Sequence, residues 1–408
     1  MKVLIVGSSK LPTPAVKGGA VPNLIEQLIR QNEKNKDLNL FCCSLYDPEA
    51  EREAKKYRET SFIWAKKPKI VKSLDQVTNF IFSKLLHFKK LHSLSYVFQI
   101  AWLSWFVAGV LKKGNYDAVV FENSVPLLYA LKLWGNKKKY IDKYYLHMHS
   151  VPRRYYGNAK TIRNGKGLIC ISQYVANEML KDRRLKINPE KIQIMYNCID
   201  TEIFTADNMQ TVNVRQKHQI EKEKKILMFA GRLCKEKGIV ELLQAVRLMD
   251  REDILLLVVG SNFYKSGIVS VYESYLQSLV EDISEKVKFT GYVDYEQIAD
   301  YYKSADVVVL PSMWEEPAGM TMLEAMACAR PLVTTISGGI PEYAGQGNCI
   351  MLHRDESLVQ NMAVCINELL ENRILAETIA LKAAERASHF SMGFYYDQFL
   401  QILKGKES

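Results

Sequence analysis

The chain has 408 residues, of which 48% are hydrophobic and 25% are charged, and this globular composition excludes a disordered, collagen-like or low-complexity protein. Because single hydrophobic cores stop growing near about 250–300 residues, the length predicts two domains. The net charge of +10 is divided unevenly, since residues 1–200 carry 34 Lys and Arg against 16 Asp and Glu, whereas the remainder has a net charge of −8.

Short apolar runs alternate with helical patterns along the whole chain. Strands covered on both faces are nearly continuous in apolar residues, so this alternation predicts two doubly wound α/β domains with parallel sheets. Residues 205–224 are polar and strandless and predict the boundary between domains 1–205 and 206–385, with a last helix in 386–408. The predicted strands are 3–7, 38–43, 118–122, 144–149, 167–172, 192–196, 226–230, 254–260, 287–291, 307–311 and 331–335.

The first predicted strand leads through a proline-containing loop to Gly18 and Gly19, before a helix that begins near Pro22. Consecutive glycines let a backbone approach a ligand closely, and a helix N-terminus offers N–H groups to an anion. An ordinary flexible loop is the alternative. The GxGxxG pattern is absent, so the sequence does not favour a dehydrogenase.

Residues 51–115 are strongly basic, with 13 Lys and Arg against four Asp and Glu. Lysine pairs at 66–67 and 89–90 follow the apolar and aromatic residues of 62–64 and 85–88. This mixture predicts binding to an anionic bilayer surface, whereas no nucleic-acid partner is expected because no recognition fold is evident. A solvated basic face is the alternative.

Segment 94–111 is the one candidate membrane span, but Ser95, Gln99 and Ser104 interrupt it, so a buried or surface-lying helix is expected instead. Residues 1–7 are too short and too glycine-bounded for a signal peptide. Eight cysteines without CxxC or zinc spacing fit a reducing compartment. We therefore expect a cytoplasmic protein, peripheral on the inner face of the cell membrane.

His147 and His149 belong to the predicted strand 144–149, and the alternation of a strand puts them on the same side. A histidine at the carboxyl end of a strand can donate a hydrogen bond or carry a proton. His149 is the stronger candidate because it lies nearer the strand end. A zinc site is the alternative, but no further cluster of ligands is expected nearby.

Gly231, Arg232 and Lys237 follow the predicted strand 226–230 and precede a helix. Two cations beside a helix N-terminus are suited to bind a diphosphate group. The alternative is a solvated basic turn.

The most specific stretch is 311–327, which contains Glu316 in a loop after a predicted strand and Glu324 in the helix that follows. Carboxylates accept hydrogen bonds from adjacent hydroxyls, such as those of a ribose or a hexose. Glu324 could instead complement the helix dipole, but this would not explain Glu316, Pro317 and Gly319 in the same stretch.

Together these segments resemble the retaining glycosyltransferases of family 4, whose GT-B fold has two doubly wound Rossmann-like domains with the donor site in the cleft between them. The opening residues 10–21 are similar to those of bacterial capsule, exopolysaccharide and spore-coat members. The resembling segments are KGGA at 17–20, HMHS at 147–150, ISQYV at 171–175, MYNCID at 195–200, FAGRLCKEKG at 229–238, FTGYV at 289–293 and EAMACARPLV at 324–333.

The resemblance implies that domain 1–205 binds the acceptor, that domain 206–385 binds the nucleotide sugar, and that the C-terminal helix in 386–408 packs back across the N-terminal domain. Two departures leave the sugar undefined: Cys198 and Ala318 replace the usual glycine and aromatic residue. The implied donor-binding residues are Gly18, Gly19, Gly231, Tyr292, Val293, Gly319, Met320, Thr321 and Glu324, and the implied catalytic residues are Arg232, Lys237, Glu316 and His149.

Each implied role is specific. The resemblance implies that the Gly19 backbone lies near the donor diphosphate, that Arg232 and Lys237 hold this diphosphate, and that His149 lies beside the reacting sugar. Glu316 contacts the transferred sugar, and Glu324 bonds the ribose hydroxyls, while loop 291–293 frames the base. The chain has no Asp-x-Asp pair, so Arg232 and Lys237 are expected to supply the charge that a metal ion supplies elsewhere. No cofactor or metal is therefore expected.

The expected activity is retaining, metal-independent transfer of a hexosyl or related sugar. The donor would be a nucleotide diphosphate sugar and the acceptor a lipid-linked glycan in cell-surface polysaccharide synthesis. One alternative is a GT-B epimerase that hydrolyses nucleotide sugars without an acceptor. Another is a non-catalytic module that binds a sugar nucleotide or a membrane.

Overall fold

The computed structural model describes residues 1–80, 96–207, 212–261 and 270–405. The chain divides into two compact units, one formed by Met1–Tyr196 together with Tyr395–Ser408 and the other by Asn197–Phe394. Each unit is built around one parallel sheet with helices between its strands. The prediction of two doubly wound α/β domains is confirmed.

The sheet of the first unit is fully parallel, and its strand order reverses at its first strand. The strands are β1 (Lys2–Val6), β2 (Asn39–Leu45), β3 (Thr60–Ala65), β4 (Ala118–Glu122), β5 (Tyr144–Met148), β6 (Gly167–Cys170) and β7 (Ile192–Ile194). They lie in the order β3-β2-β1-β4-β5-β6-β7. Ligands of such sheets bind at the carboxyl ends of the strands beside the reversal, here between β1 and β4.

The helices described in the first unit connect these strands, and the last of them begins in the second unit. They are α1 (Ala20–Asn35), α2 (Pro48–Glu53), α3 (Lys69–Phe80), α4 (Val97–Lys113), α5 (Tyr129–Lys132), α6 (Asn136–Tyr140), α7 (Ala159–Arg163), α8 (Gln173–Lys181) and α17 (Met392–Lys404).

The sheet of the second unit has the same kind of reversal. Its strands are β8 (Lys225–Ala230), β9 (Ile254–Val259), β10 (Val287–Gly291), β11 (Val307–Leu310), β12 (Leu332–Thr335) and β13 (Ile350–Leu352). They lie in the order β10-β9-β8-β11-β12-β13, so the reversal falls between β8 and β11. The described helices are α9 (Val214–Lys217), α10 (Ile239–Leu248), α11 (Val271–Ser278), α12 (Ile298–Ser304), α13 (Met320–Ala327), α14 (Ile340–Ala344), α15 (Leu358–Glu371) and α16 (Arg373–Ser388).

The C-terminal helix α17 packs into the first unit. The Tyr396 hydroxyl donates to the Asn32 side-chain oxygen at 2.8 Å, and the Tyr145 hydroxyl donates to the Ile402 carbonyl at 3.3 Å. Tyr396 and Phe399 are fully buried. This helix therefore completes the core of the first unit, although the whole second unit separates it from the rest of that unit in sequence.

Two edge strands, β3 and β13, are absent from the strands predicted by sequence. Phe62, Ile63 and Trp64, interpreted above as part of a membrane surface, instead form the middle of β3. The rings of Phe62 and Trp64 stack with centroids 5.4 Å apart. These half-buried residues belong to the sheet, and their contact with a membrane surface stays a prediction.

The candidate span 94–111 corresponds mainly to α4, and residues 94–95 lie outside the described part of the chain. Leu103, Val107 and Leu111 of this helix are buried in the first unit. No helix among the described residues has both the length and the apolar content needed to cross a bilayer.

Lys67, predicted to face a bilayer, lies in an internal ion pair. Its ammonium is 3.0 Å from Asp75 Oδ2 and 2.7 Å from Gln99 Oε1, and Asp75 is only 4% exposed. Lys67 therefore joins α3 to α4, and the prediction that it is a free surface cation is wrong. The second predicted lysine pair, Lys89 and Lys90, lies outside the described residues.

Candidate active site

In the second unit, the loops that follow β8 and β11 are fixed to each other. The Met313 N–H donates to the Glu236 carbonyl at 2.9 Å. Gly238 has a φ of +71°, and a Cβ placed there would lie 1.8 Å from the Pro311 carbonyl oxygen, so only glycine fits. The two motifs 231–238 and 311–319 therefore form one surface at the carboxyl ends of neighbouring strands.

Lys237 and Glu316 form an ion pair within this surface. The Ser312 hydroxyl donates to the same Glu316 oxygen at 2.9 Å, and the Gly339 N–H donates to the Glu316 carbonyl at 2.7 Å. The side chain of Glu316 is 8% exposed and that of Lys237 is 21% exposed. The charge of Lys237 is thus already balanced by a carboxylate that the protein holds in place.

Arg232 differs from Lys237, because it is exposed and makes no ion pair or side-chain hydrogen bond with any described residue. It lies two residues beyond the end of β8. Of the two cations predicted to bind a diphosphate, Arg232 is therefore the one without a carboxylate partner among the described residues.

Helix α13 begins directly after Gly319, with Met320 and Thr321 as its first residues. The N–H groups of a first helical turn have no acceptor within the helix, and this end of the helix carries a partial positive charge. Gly319 and Thr321 line one cavity together with Lys237 and Glu316. The structure therefore brings the positive end of a helix beside the ion pair.

Glu324 lies one turn into α13, where it meets Tyr302 of α12. The Tyr302 hydroxyl donates to Glu324 Oε2 at 2.9 Å. Burial raises the pKa of Glu324 to about 7, although the Tyr302 hydrogen bond opposes this rise. Tyr302 was not anticipated from sequence, because nothing local to residue 302 shows that α12 packs beside α13.

Gly231, Tyr292 and Val293 lie at the same edge of the sheet but outside the cavity around Glu316. The Gly231 N–H donates to the Val259 carbonyl at 3.0 Å, and the Gly260 N–H donates to the Gly291 carbonyl at 3.0 Å. The segments that follow β8, β9 and β10 therefore run side by side. Tyr292 and Val293 are half-buried at the end of β10.

In the first unit, Gly18 and Gly19 end a loop that several buried groups hold in place. Gly19 has a φ of +103°, a conformation that residues with a side chain rarely adopt, so this position favours glycine. The Ala15 N–H donates to Glu26 Oε2 at 2.8 Å. Glu26 was not predicted as part of this site. The loop therefore presents the N-terminus of α1 in a fixed conformation.

His147 and His149 meet a third side chain, Glu122, which is the last residue of β4. His149 Nε2 is 2.8 Å from Glu122 Oε2, and His147 Nδ1 is 3.0 Å from the same oxygen. The imidazole centroids are 4.2 Å apart. The prediction that the histidines share a side is confirmed, whereas the expectation that no further ligand cluster lies nearby is wrong. The register of parallel strands explains the meeting, since Glu122 pairs with His147.

The environment of this cluster lowers two pKa values, and the two groups differ in charge as a result. Burial would raise the pKa of Glu122, but the His147 charge and hydrogen bonds from both histidines lower it to about 2. Burial and the neighbouring His147 lower the pKa of His149 to about 4, against the effect of Glu122. At neutral pH the carboxylate is therefore charged and His149 is neutral.

Glu122, His147 and His149 are also the one group of three His, Cys, Asp or Glu side chains, among the described residues, with ligand atoms close enough to bind a single metal ion. Those atoms all lie within 4.8 Å of one another. Zinc accepts such nitrogen and oxygen ligands. The chemistry of the cluster thus allows either a hydrogen-bond network or a metal centre.

Comparison with known proteins matches both halves of the chain to families of glycosyltransferases. Residues 40–203 match the family described as "Glycosyltransferase Family 4", and residues 211–386 match "Glycosyl transferases group 1". Spore coat protein SA of Bacillus subtilis (strain 168) is 25% identical over 412 residues, which cover 97% of this chain and 96% of that protein.

Two solved structures share the fold over the whole length. A glycosyltransferase from Rickettsia africae ESF-5 superposes with a TM-score of 0.76 at 19% identity, covering 100% of this chain and 99% of that one. Anabaena HepE in complex with UDP-glucose superposes with a TM-score of 0.72 at 18% identity, covering 99% of each chain. The chain therefore belongs to the family 4 glycosyltransferases and has the GT-B fold.

Proposed function

We propose that this protein is a retaining glycosyltransferase that moves a sugar from a nucleotide diphosphate sugar to a lipid-linked glycan acceptor in cell-surface polysaccharide synthesis. The observation that carries the proposal is the edge of the second sheet beside the β8–β11 reversal. There an unpaired cation, a helix N-terminus and two carboxyl groups lie around adjacent loops. A donor with one anionic and two polyhydroxyl parts needs this combination of groups.

Each part of such a donor has a matching group. Arg232 and the first N–H groups of α13 bind the diphosphate, because both offer positive charge and hydrogen-bond donors. Glu324 accepts hydrogen bonds from the ribose, and Glu316 accepts them from the transferred sugar. Anabaena HepE, which has the same fold, was solved in complex with UDP-glucose, and this supports the same class of donor here.

Retention requires that the new bond form on the face from which the old one departs. In the proposed reaction the bond between sugar C1 and the phosphate oxygen breaks, and a bond from C1 to the acceptor oxygen forms on that face. The acceptor proton passes to the departing phosphate oxygen, so no enzyme nucleophile is needed. Arg232 and Lys237 stabilise the charge that develops on the diphosphate.

The donor is best identified by binding before turnover. We expect one nucleotide sugar in a panel of UDP-, GDP- and ADP-sugars to raise the melting temperature, since a ligand at 100 times its dissociation constant adds about 2.7 kcal/mol. Incubation of that donor with and without glycan acceptors then defines the reaction. Release of free or epimerised sugar without an acceptor would contradict transfer, and an inverted product anomer would contradict retention.

The membrane part of the proposal rests on one face of α3. Ile70, Leu74 and Val77 follow helical spacing and are 68%, 41% and 54% exposed, whereas Val71 and Asp75 on the other face are buried. Lys69 and Lys72 are exposed on the same helix. An apolar face bordered by lysines is suited to the surface of an anionic bilayer. We propose that α3 holds the enzyme at the inner face of the membrane, where a lipid-linked acceptor is available.

Cosedimentation with phosphatidylglycerol vesicles tests this membrane surface. Replacing Ile70, Leu74 and Val77 by Ser should weaken binding at least about tenfold, because each buried apolar side chain contributes roughly 1.5–3 kcal/mol when fully removed from water. The matched control replaces Val364, Ile374 and Leu381 of the second unit, which are 64%, 79% and 69% exposed. Equal loss in both triple variants, or binding that ignores salt and lipid charge, would contradict the proposal.

A further inference from the structure

The cluster at the carboxyl ends of β4 and β5 converges on a single carboxylate oxygen. Glu122 Oε2 accepts from His149 Nε2 at 2.8 Å and also lies 3.0 Å from His147 Nδ1. Glu122 is 1% exposed, His147 is fully buried, and His149 is 9% exposed. Of the three, His149 is therefore the side chain nearest to solvent, and the other two can act on a ligand only through it.

The closest contact of the cluster, between His149 Nε2 and Glu122 Oε2, is a hydrogen bond. In a metal site, ligand atoms surround a shared centre at about 2.0–2.2 Å from the ion. Here the Glu122 oxygen itself occupies the position next to both imidazoles, and its contact with His149 has the geometry of a hydrogen bond. The direct contact between Glu122 and His149 is therefore a hydrogen bond.

A carboxylate fixes the hydrogen of the imidazole that faces it. An ionised carboxylate has acceptors only, so the His149 nitrogen at 2.8 Å must carry the hydrogen. In a neutral ring the other nitrogen, Nδ1, then has a lone pair and can only accept. Burial lowers the pKa of His149 and so keeps the ring neutral near pH 7.

The backbone of His149 is held as firmly as its ring. The His149 N–H donates to the Asn123 side-chain oxygen at 3.1 Å, and the Asn123 N–H donates to the His147 carbonyl at 2.8 Å. The residues that end β4 thus fix both the backbone position and the ring orientation of His149. Its Nδ1 is buried without a hydrogen-bond partner among the described residues.

We propose that Glu122 is a positioning residue that holds His149 in the Nε2–H tautomer, so that Nδ1 accepts a hydrogen bond from a substrate hydroxyl. A buried acceptor without a donor is unfavourable, and a hydroxyl relieves this state. Ionised carboxylates and phosphates cannot, because they have no hydrogen to give. The ligand group at His149 is therefore a hydroxyl of the sugar or of the acceptor, in a site that rests on the proposed transferase function.

The tautomer can be measured without any substrate. In the full-length protein labelled with ¹⁵N-histidine, ring shifts and couplings distinguish a protonated from an unprotonated nitrogen, and His149→Gln identifies the His149 signals. We expect Nε2–H in the wild type and a mixture of tautomers in Glu122→Ala. Glu122→Gln should keep Nε2–H, because its amide oxygen also accepts. The matched control Asp75→Ala removes another buried carboxylate of the first unit and should leave the His149 signals unchanged.

Three results would overturn the proposal: a wild-type ring with the hydrogen on Nδ1, an unchanged tautomer in Glu122→Ala, or one bound metal ion per chain that Glu122→Ala loses. If the tautomer is as expected, kinetics test its use. With an identified donor, Glu122→Ala should lose at least about tenfold in kcat/KM, equivalent to about 1.4 kcal/mol, and Glu122→Gln should recover most of it. Equal activity of Glu122→Ala and Asp75→Ala would show that the tautomer has no role. Failure to find any donor would contradict the proposed function but not the tautomer.

Discussion

Glu122 in the first unit is buried and Glu324 in the second is half-buried, and their carboxyl groups have opposite properties. Two histidines face Glu122 and lower its pKa to about 2. Glu324 has the Tyr302 hydroxyl, and burial raises its pKa to about 7. Burial alone favours the neutral acid, so the difference comes from partners. Two imidazoles favour the ionised form of Glu122, whereas the Tyr302 hydroxyl offsets the effect of burial on Glu324 only in part.

The largest effect should come from the two cations of the second unit. Lys237 is paired with Glu316, whereas Arg232 has no ion pair among the described residues. Arg232→Ala and Lys237→Ala should each lower kcat/KM by about 10²–10³, because charge on the departing diphosphate is no longer stabilised. Only Lys237→Ala should also lower the melting temperature, since it leaves the buried Glu316 without its cation. Steady-state kinetics and calorimetry on both variants measure this. Near-normal activity in both would remove them from the mechanism.

The pH dependence of the unfolding free energy should reveal the raised pKa of Glu324. A pKa of Glu324 raised to about 7 means that the folded state binds this proton more tightly than the unfolded chain does. This contribution is complete below about pH 4.5 and is lost as pH rises toward 7, at a cost of at most about 3 kcal/mol. Glu324→Gln should therefore flatten the decline of unfolding free energy over this range in urea titrations. An unchanged pH dependence would show that Glu324 ionises normally.

A smaller effect should follow from removing the Tyr302 hydroxyl, the one hydrogen-bond partner of the Glu324 side chain among the described residues. The Tyr302 hydrogen bond favours the ionised carboxylate, so Tyr302→Phe should raise the pKa of Glu324 further. Ribose hydroxyls donate to the ionised form, so nucleotide affinity should rise with pH, and this rise should move to higher pH in the variant. Calorimetric titration with UDP between pH 6 and 8 measures the midpoint. Tyr301→Phe, at the neighbouring position, is the control and should leave the midpoint in place.

The smallest expected effect is that of chelation. If the cations Arg232 and Lys237 carry the charge compensation, excess EDTA should change turnover by less than about twofold. The same experiment tests for a metal ion at Glu122 in the first unit, because such an ion would make activity sensitive to a chelator. Loss of activity with EDTA and recovery with Mg²⁺, Mn²⁺ or Zn²⁺ would place a metal ion in the mechanism.

The sequence predicts the fold well where local composition decides it. Strands such as β9 and β11 are continuous runs of branched apolar residues, and both sheets follow from their alternation with helices. The edge strand β3 was missed because its half-buried aromatic residues, including Phe62 and Trp64, have the composition of an exposed surface. Edge strands have one solvated side, which weakens the pattern on which such predictions depend.

The sequence predicts the site less completely, because its partners come from different strands and helices. Arg232 and Lys237 are identifiable because they follow a strand. Glu122 and Tyr302 are not, because sequence order does not show that β4 lies beside β5 or α12 beside α13. Lys67 was misassigned because its partners lie on two helices, α3 and α4, whose packing the sequence does not show. The prediction of the site is limited because the sequence does not show which distant strands and helices become neighbours.

The contact of Gly238 with Pro311 has a consequence for motion. With the Met313 amide bonded to Glu236, neither loop can separate from the sheet edge unless the other separates too. The amides of 231–238 and 311–319 should therefore exchange with deuterium at a common rate, as a single cooperative unit. A nucleotide that binds at Arg232 would then slow exchange in both loops together, although they are about 80 residues apart in the chain.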